Sequence, residues 1–331
     1  MKYYIFISTL FILLFTACSD KKVYEPIHLS SDWKHYEQSK ETIIDTASNV
    51  ALLSDGKVLN QNDTLLNADI NSSYRLLSQS DGWIISASIK GTVSLVSQND
   101  IHVKKELNLV KTVAAASVHN DILAVVFSDN EIALYNIESK QLLFKEQGSK
   151  VLIVDSRLQN PYFLKDLVLF STLDGKVVFV NTKMKKRLRT VIISSEDDFN
   201  NVISLHMLQN KIIVATGYTV AAIAQKEVRE KYEIRDIVYD EKNIYIATKQ
   251  GEIISLTDDL QVNSKLKFPF AHFIAMVIKN DKLYILEKEG YIIVLNTKTF
   301  DYTVHEVDFN DGFVFPSKKI FYVDDKKILT E

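Results

Sequence analysis

KNIYIATKQGEIISL (242–256), DKLYILEKEGYIIVL (281–295) and DLVLFSTLDGKVVFV (166–180) are three copies of one pattern. Each has a run rich in Val, Ile, Leu, Phe and Tyr, then a polar turn with glycine at the tenth place, then a second such run. Two β-rich runs joined by a glycine turn read as a hairpin, because glycine accepts the positive φ that a tight turn needs. The same window fits five further stretches: ASNVALLSDGKVLNQ (47–61), GWIISASIKGTVSLV (82–96), DILAVVFSDNEIALY (121–135), NKIIVATGYTVAAIA (210–224) and SKKIFYVDDKKILTE (317–331).

The tenth residues are Gly56, Gly91, Asn130, Gly175, Thr219, Gly251, Gly290 and Lys326. Asn is the next choice for positive φ. Thr219 and Lys326 are poor choices, so those two turns must be of another type. From 56 to 326 is 270 residues in seven steps, a mean near 39. Propeller blades of four strands repeat at about 40–45 residues.

The segments between hairpins supply the other strands. HFIAMVIKN (272–280), NVISLHMLQN (201–210) and VKTVAAASVHN (110–120) read as apolar inner strands; KQLLFKEQ (140–147) and YTVHEVDF (302–309) read as polar outer ones. The eighth hairpin ends at residue 331, so SDWKHYEQS (31–39) is placed to close the last blade from the other end of the chain. That closure removes an exposed sheet edge. The expected fold is all-β: an eight-bladed propeller of four-stranded antiparallel blades, with seven blades the nearest alternative. A pair of β-sandwiches leaves the steady period unexplained, and an α/β fold needs helical stretches between strands. The best helical candidate, QKEVREKYEIRD (225–236), is isolated and reads equally as a charged outer strand.

The beginning of the chain has a different character. Lys2 is followed by the apolar run YYIFISTLFILLFTA (3–17) and then by Cys18. Fifteen residues are short for a span, which takes about 20, and suit the apolar region of a secretory signal peptide. A single membrane-anchor helix is the alternative. The cleavage region Phe15-Thr16-Ala17-Cys18 resembles the bacterial lipobox, with Phe15 where Leu is usual. The resemblance implies that Cys18 is acylated and becomes the mature N-terminus. It also implies that Ser19, where Asp would favour retention in the inner membrane, permits export to the outer membrane. The expected division is a signal peptide over 1–17, a lipidated tether over 18–28 and the propeller over 29–331.

Cys18 is the only cysteine, so no internal disulfide can form and the body must rest on a hydrophobic core. Removing residues 1–17 leaves 314, enough for such a core, and moves the formal net charge from −3 to −4. There is no basic domain and hence no electrostatic footprint for nucleic acid.

Several blades end in a phrase that resembles the quinoprotein-like propeller repeat: Asn or Asp, two residues, Thr or Ser, Gly, three residues, Trp. Here it stands as Asn136…Ser139-Lys140…Phe144, with weaker copies Asn181…Met184-Lys185…Arg189 and Asn296…Thr299-Phe300…Val304. Gly and Trp are lost in each, and Trp33 is the candidate for a retained Trp on the closing strand. A lipobox followed by an eight-hairpin propeller that ends on a hairpin is similar to the BamB family of outer-membrane β-barrel assembly lipoproteins. The resemblance implies a non-catalytic scaffold, anchored to the outer membrane and facing the periplasm. Its implied partners are the barrel-assembly subunit and unfolded outer-membrane proteins. It also points to docking residues before the fourth and fifth hairpins. There the chain has VLIVDSRLQ (151–159) and EDDFNNVIS (196–204), so Arg157, Asp197 and Asp198 are the candidates. The plain alternative for these three is solvated loop charge.

Chemistry is sparse. Glu196-Asp197-Asp198 lacks the alternating ligands and turn glycine of a calcium loop. The seven histidines show no zinc-helix spacing, and His206 and His272 sit in apolar runs that suggest near-core positions. No nucleophile elbow and no phosphate-cradling glycine loop is present. The run KMKKRLR (183–189) reads as a solvated turn and outer strand, or as a patch for anionic lipid or an acidic partner. No catalytic residue, metal or cofactor is expected. The alternatives are a degenerate quinone-dependent dehydrogenase, or an envelope lipoprotein that binds a different protein or a small ligand.

Overall fold

Every one of the eight quoted windows forms the central hairpin of a four-stranded antiparallel sheet. The computed structural model describes residues 22–196 and 198–331. Among them are 32 strands in eight four-stranded sheets and no helix. Seven sheets use four consecutive strands, and are numbered here as blades 1 to 7: 43–66, 74–108, 113–147, 162–192, 204–231, 234–267 and 273–306. Blade 8 takes three strands from 314–329 and its outer strand, Tyr36–Gln38, from the other end of the chain. Tyr36 pairs with Ile328 and Gln38 with Lys326. The ring is thus closed as expected, and eight blades stand rather than seven.

Burial follows strand position. In the central hairpins both faces of the sheet are covered by neighbouring blades, so Ile122–Phe127 and Glu252–Thr257 are almost wholly buried. Outer strands such as Glu227–Lys231 have little cover and are charged. This strand lies within 225–236, the helical candidate, and is the charged outer strand of blade 5. Apolar side chains form eight clusters, one between each pair of adjacent blades. The seam between blades 1 and 2 is the thinnest, with only Val50, Val58, Leu76 and Ile84 fully enclosed. Blade 1 also ends in the shortest strand, Leu65–Leu66.

The turns behave as their residues require. Gly56, Gly91, Asn130, Gly175, Gly251 and Gly290 all have positive φ, between 65° and 89°. At Gly251 a Cβ would lie 2.3 Å from the Phe268 carbonyl oxygen, so glycine also permits close approach of two loops. Thr219 and Lys326 lie inside strands, and in the second case Asp324 takes the positive φ of 48°. The degenerate repeat phrase keeps its geometry after losing its glycine. Asn136 Oδ1 accepts the Ser139 N–H at 2.7 Å, and Lys140 stands at φ 59°. Asn181 does the same for Met184 at 2.7 Å with Lys185 at φ 53°, and Asn296 for Thr299 at 3.1 Å with Phe300 at φ 63°. A fourth copy has Thr257 Oγ1 as acceptor and Leu260 at φ 61°.

Trp33 precedes the closing strand rather than standing on it. It is 5% exposed and packs between blades 7 and 8. The backbone N–H groups of Ser30 and Trp33 bond the carbonyls of Val304 and Glu306 on the outer strand of blade 7, each at 2.8 Å. Residues 22–28, the described part of the expected tether, are mostly exposed but anchored at one point. Tyr24 is buried between blades 6 and 7 against Phe268 and Tyr291.

Candidate functional site: a plugged channel and an apolar loop patch

The inner strands of all eight blades surround a central cavity of about 1140 Å³. Several carry a β-bulge, for example between Ile43 and Asp45 and between Ile234 and Asp236. A bulge leaves ladder groups unpaired and re-aims a side chain. Asp45 and Asp236 use this to latch one blade to the next. Asp45 Oδ2 accepts the Leu76 N–H at 3.0 Å, and Asp236 Oδ2 accepts the Met276 N–H at 2.7 Å. Burial lifts the Asp236 carboxyl to about 6, although the N–H groups of Ile237 and Met276 favour its ionised form. Asp81, the third cavity carboxylate, accepts the Asn120 N–H at 2.6 Å. Each of the three wall carboxylates thus accepts a backbone N–H from a neighbouring blade.

The connection between blades 3 and 4 does not stay on the rim. Residues 156–161 enter the cavity. Arg157 forks onto Asp155, with Nε 2.9 Å and Nη2 2.5 Å from its carboxylate oxygens. Nη1 donates to the Arg235 carbonyl of blade 6 at 2.6 Å. Burial would raise the Asp155 carboxyl, but the Arg157 guanidinium holds it below the usual carboxylate range. Three residues on, Asn160 reaches the opposite wall: Nδ2 donates to Ser48 of blade 1 at 2.6 Å, and Oδ1 accepts the Ala116 N–H of blade 3 at 3.3 Å. One loop thus braces both sides of the channel.

Where this loop rises out of the cavity it is apolar. Leu152 is 83% exposed, and Ile153, Val154 and Phe199 are each about 40% exposed. Phe199 belongs to the next inter-blade loop, and its N–H bonds the Ile153 carbonyl at 3.3 Å. It has a positive φ of 53°, uncommon for a bulky residue. The two loops together form one exposed apolar patch.

The sequence candidates fall unevenly around it. Arg157 is half-buried and already paired within the chain. Asp198 is exposed in the same loop as Phe199, while Asp197 lies outside the described residues. So do Phe15, Thr16, Ala17, Cys18 and Ser19. Glu196 pairs with Lys231 at 3.2 Å, and among the described residues no group of His, Cys, Asp or Glu converges as for a metal ion. His206 is half-buried and stacks on Tyr239 at 4.3 Å, with burial lowering its pKa. His272, expected near the core, has its side chain exposed where the inner strand of blade 7 begins. The basic run is an inter-blade clasp: Arg187 meets Glu146 of blade 3 at 2.5 Å, and Arg189 meets Glu227 of blade 5. The apolar patch itself was overlooked. Its signal was the four-residue run VLIV (151–154), which has no hairpin partner.

An eight-bladed ring built this way has solved counterparts. BamB from Moraxella catarrhalis superposes with a TM-score of 0.65, covering 88% of this chain and 98% of that one at 9% identity. This chain is folded like BamB. A computationally designed protein, Ika8, superposes almost as well, with a TM-score of 0.61 and 16% identity over 89% of this chain and 97% of that one. A designed ring matching so closely shows that these likenesses carry architecture and not activity. By sequence the chain is 28% identical to the plasminogen-binding protein PgbB of Helicobacter pylori strain J99, over 94% of this chain and 67% of that protein. PgbB of strain 26695 matches to the same extent. No family model matches.

Proposed function

We infer that this chain is a non-catalytic, lipid-anchored envelope scaffold that docks other proteins on the patch formed by Leu152, Ile153, Val154 and Phe199. The observation that carries this is the patch itself, held on a rigid ring by the braced loop behind it. Exposed contiguous apolar surface rimmed by polar groups marks an interaction site. A protein-binding relative and a BamB-like fold support the same reading. The finer reading is a component of outer-membrane β-barrel assembly, held by acylated Cys18 on the periplasmic side, with the barrel-assembly subunit and unfolded outer-membrane proteins as partners. The likeness to a plasminogen-binding protein favours a second reading, a receptor for an extracellular protein such as plasminogen.

Co-purification from the native membrane in mild detergent separates the two. The first reading expects the barrel-assembly subunit with the unaltered chain and its loss from a Leu152→Asp, Phe199→Asp variant. If the subunit is absent and the intact cells bind plasminogen through this chain, the second reading replaces the first. If the double variant keeps every partner, the patch is not the docking site.

A further inference from the structure

Tyr24 fixes where the N-terminal segment leaves the ring. Its ring meets Phe268 and Tyr291 edge-on, with centroids 6.1 and 5.6 Å apart. Lys22 is then held with Nζ 5.4 Å from the centre of the Phe270 ring. Cys18 precedes Lys22 by four residues. Even fully extended, that stretch reaches roughly 14 Å. The polar headgroup layer of one leaflet is about 5–8 Å deep. A lipid on Cys18 therefore leaves this part of the rim almost no freedom to depart from the bilayer surface.

The rim at that point is suited to such a surface. Ile27 is 91% exposed and Phe270 58%, and Leu29 and Val23 of the same N-terminal segment as Ile27 are exposed too. Phe270 is held at φ 67°, an unusual conformation for an aromatic residue that carries its ring outward. Exposed lysines surround the loop. Lys267 Nζ bonds the Gln250 carbonyl, and the Lys288 N–H bonds the His272 carbonyl at 3.0 Å. Glu252, 3.8 Å from Lys267 Nζ, with Glu25 and Glu289, offsets much of that charge. Exposed aromatic and aliphatic side chains bordered by charged groups of both signs match the boundary between acyl chains and headgroups.

We propose that the sector of the rim between blades 6 and 7, centred on Phe270 and Ile27, rests on the lipid bilayer. The ring then meets the membrane by this edge, and the Leu152–Phe199 patch, on the loops of blades 4 and 5, stays open to protein partners. The proposal rests on the reading that Cys18 carries the lipid, and the test separates the two. Cys18 is the only thiol, so the mature chain (18–331) is coupled through it to a maleimide-bearing lipid in phosphatidylethanolamine–phosphatidylglycerol vesicles. Contact is then measured whether or not the cell acylates the chain; acylation is read separately, from the mass of the native N-terminus. Backbone hydrogen exchange over 22–30 and 268–272 is expected to slow by about fivefold or more against the uncoupled chain. Segments 88–91 and 150–155 are expected to be unchanged. An Ile27→Asp, Phe270→Asp variant, coupled in the same way, is expected to lose the protection. Unslowed exchange at 22–30 and 268–272, equal slowing at 88–91, or protection that survives the double variant overturns the proposal.

Discussion

The indole N–H of Trp33 donates to the carbonyl of Leu329 at 3.2 Å, joining positions 296 residues apart. Trp33 also meets His35, Tyr284 and His305 edge-on, with centroids between 5.3 and 6.1 Å. This one side chain pins the closing segment to both blades it spans. Trp33→Ala is expected to cost about 3–5 kcal/mol, the range for truncating a buried large aromatic. Chemical unfolding with a probe on blade 8 measures the loss.

Asp236 gives stability a pH dependence of known sign. Its folded carboxyl titrates near 6, above the roughly 3.9 of an unfolded chain. Between those values the folded state holds more protons, so stability falls as pH rises from 4 to 6. Asp236→Asn is expected to remove that fall, on the order of 1–2 kcal/mol, in urea unfolding at pH 4 and pH 7. Asp174 acts below this window. Burial would raise its carboxyl, but Lys176 and Thr172, with Asn130 and Ser149, draw it down to about 2. Its contribution is complete above about pH 4 and is lost only as pH falls towards 2.

The degenerate repeat turns make a prediction about glycine. Lys140 and Lys185 are exposed and stand at φ 59° and 53°, which costs a lysine more than a glycine. Lys140→Gly and Lys185→Gly are each expected to stabilise by roughly 0.5–1 kcal/mol. Phe300→Gly, at φ 63°, is not expected to do so, because Phe300 also packs against the cluster between blades 6 and 7. Thermal melting of the three variants separates backbone relief from lost packing.

Arg157 should behave as a brace. Arg157→Lys leaves one donor group where the guanidinium fork served Asp155 and the Arg235 carbonyl together. Faster hydrogen exchange over 150–160 is expected, with a loss of about 1–3 kcal/mol. Unchanged exchange there means that the other anchors of the loop, Asn160 and Asn201, hold it without the guanidinium.

The eight hairpins were legible because each is local. Its two strands and turn fall within fifteen residues, and the turn demands a residue type that can be read directly. The closing role of 31–39 was legible from counting strands. Tyr24 was not, since its partners Phe268 and Tyr291 lie more than 240 positions away and no local periodicity marks a lone aromatic. Arg157 is marked by its charge, but that charge is met within the chain, because the loop dives into the channel and a lone charge in a loop does not foretell such a path. VLIV (151–154) is an apolar run with no hairpin partner, and that run forms the patch.

The clamp at Tyr24 has a mechanical meaning. Tension applied to the chain ahead of it is taken up first by an aromatic plug between blades 6 and 7, then by the two main-chain bonds from Ser30 and Trp33 to blade 7. Only when both have yielded does the load arrive at Tyr36–Gln38, the strand that keeps the circle shut. A pull from that end must peel the molecule in stages before it can spring it open.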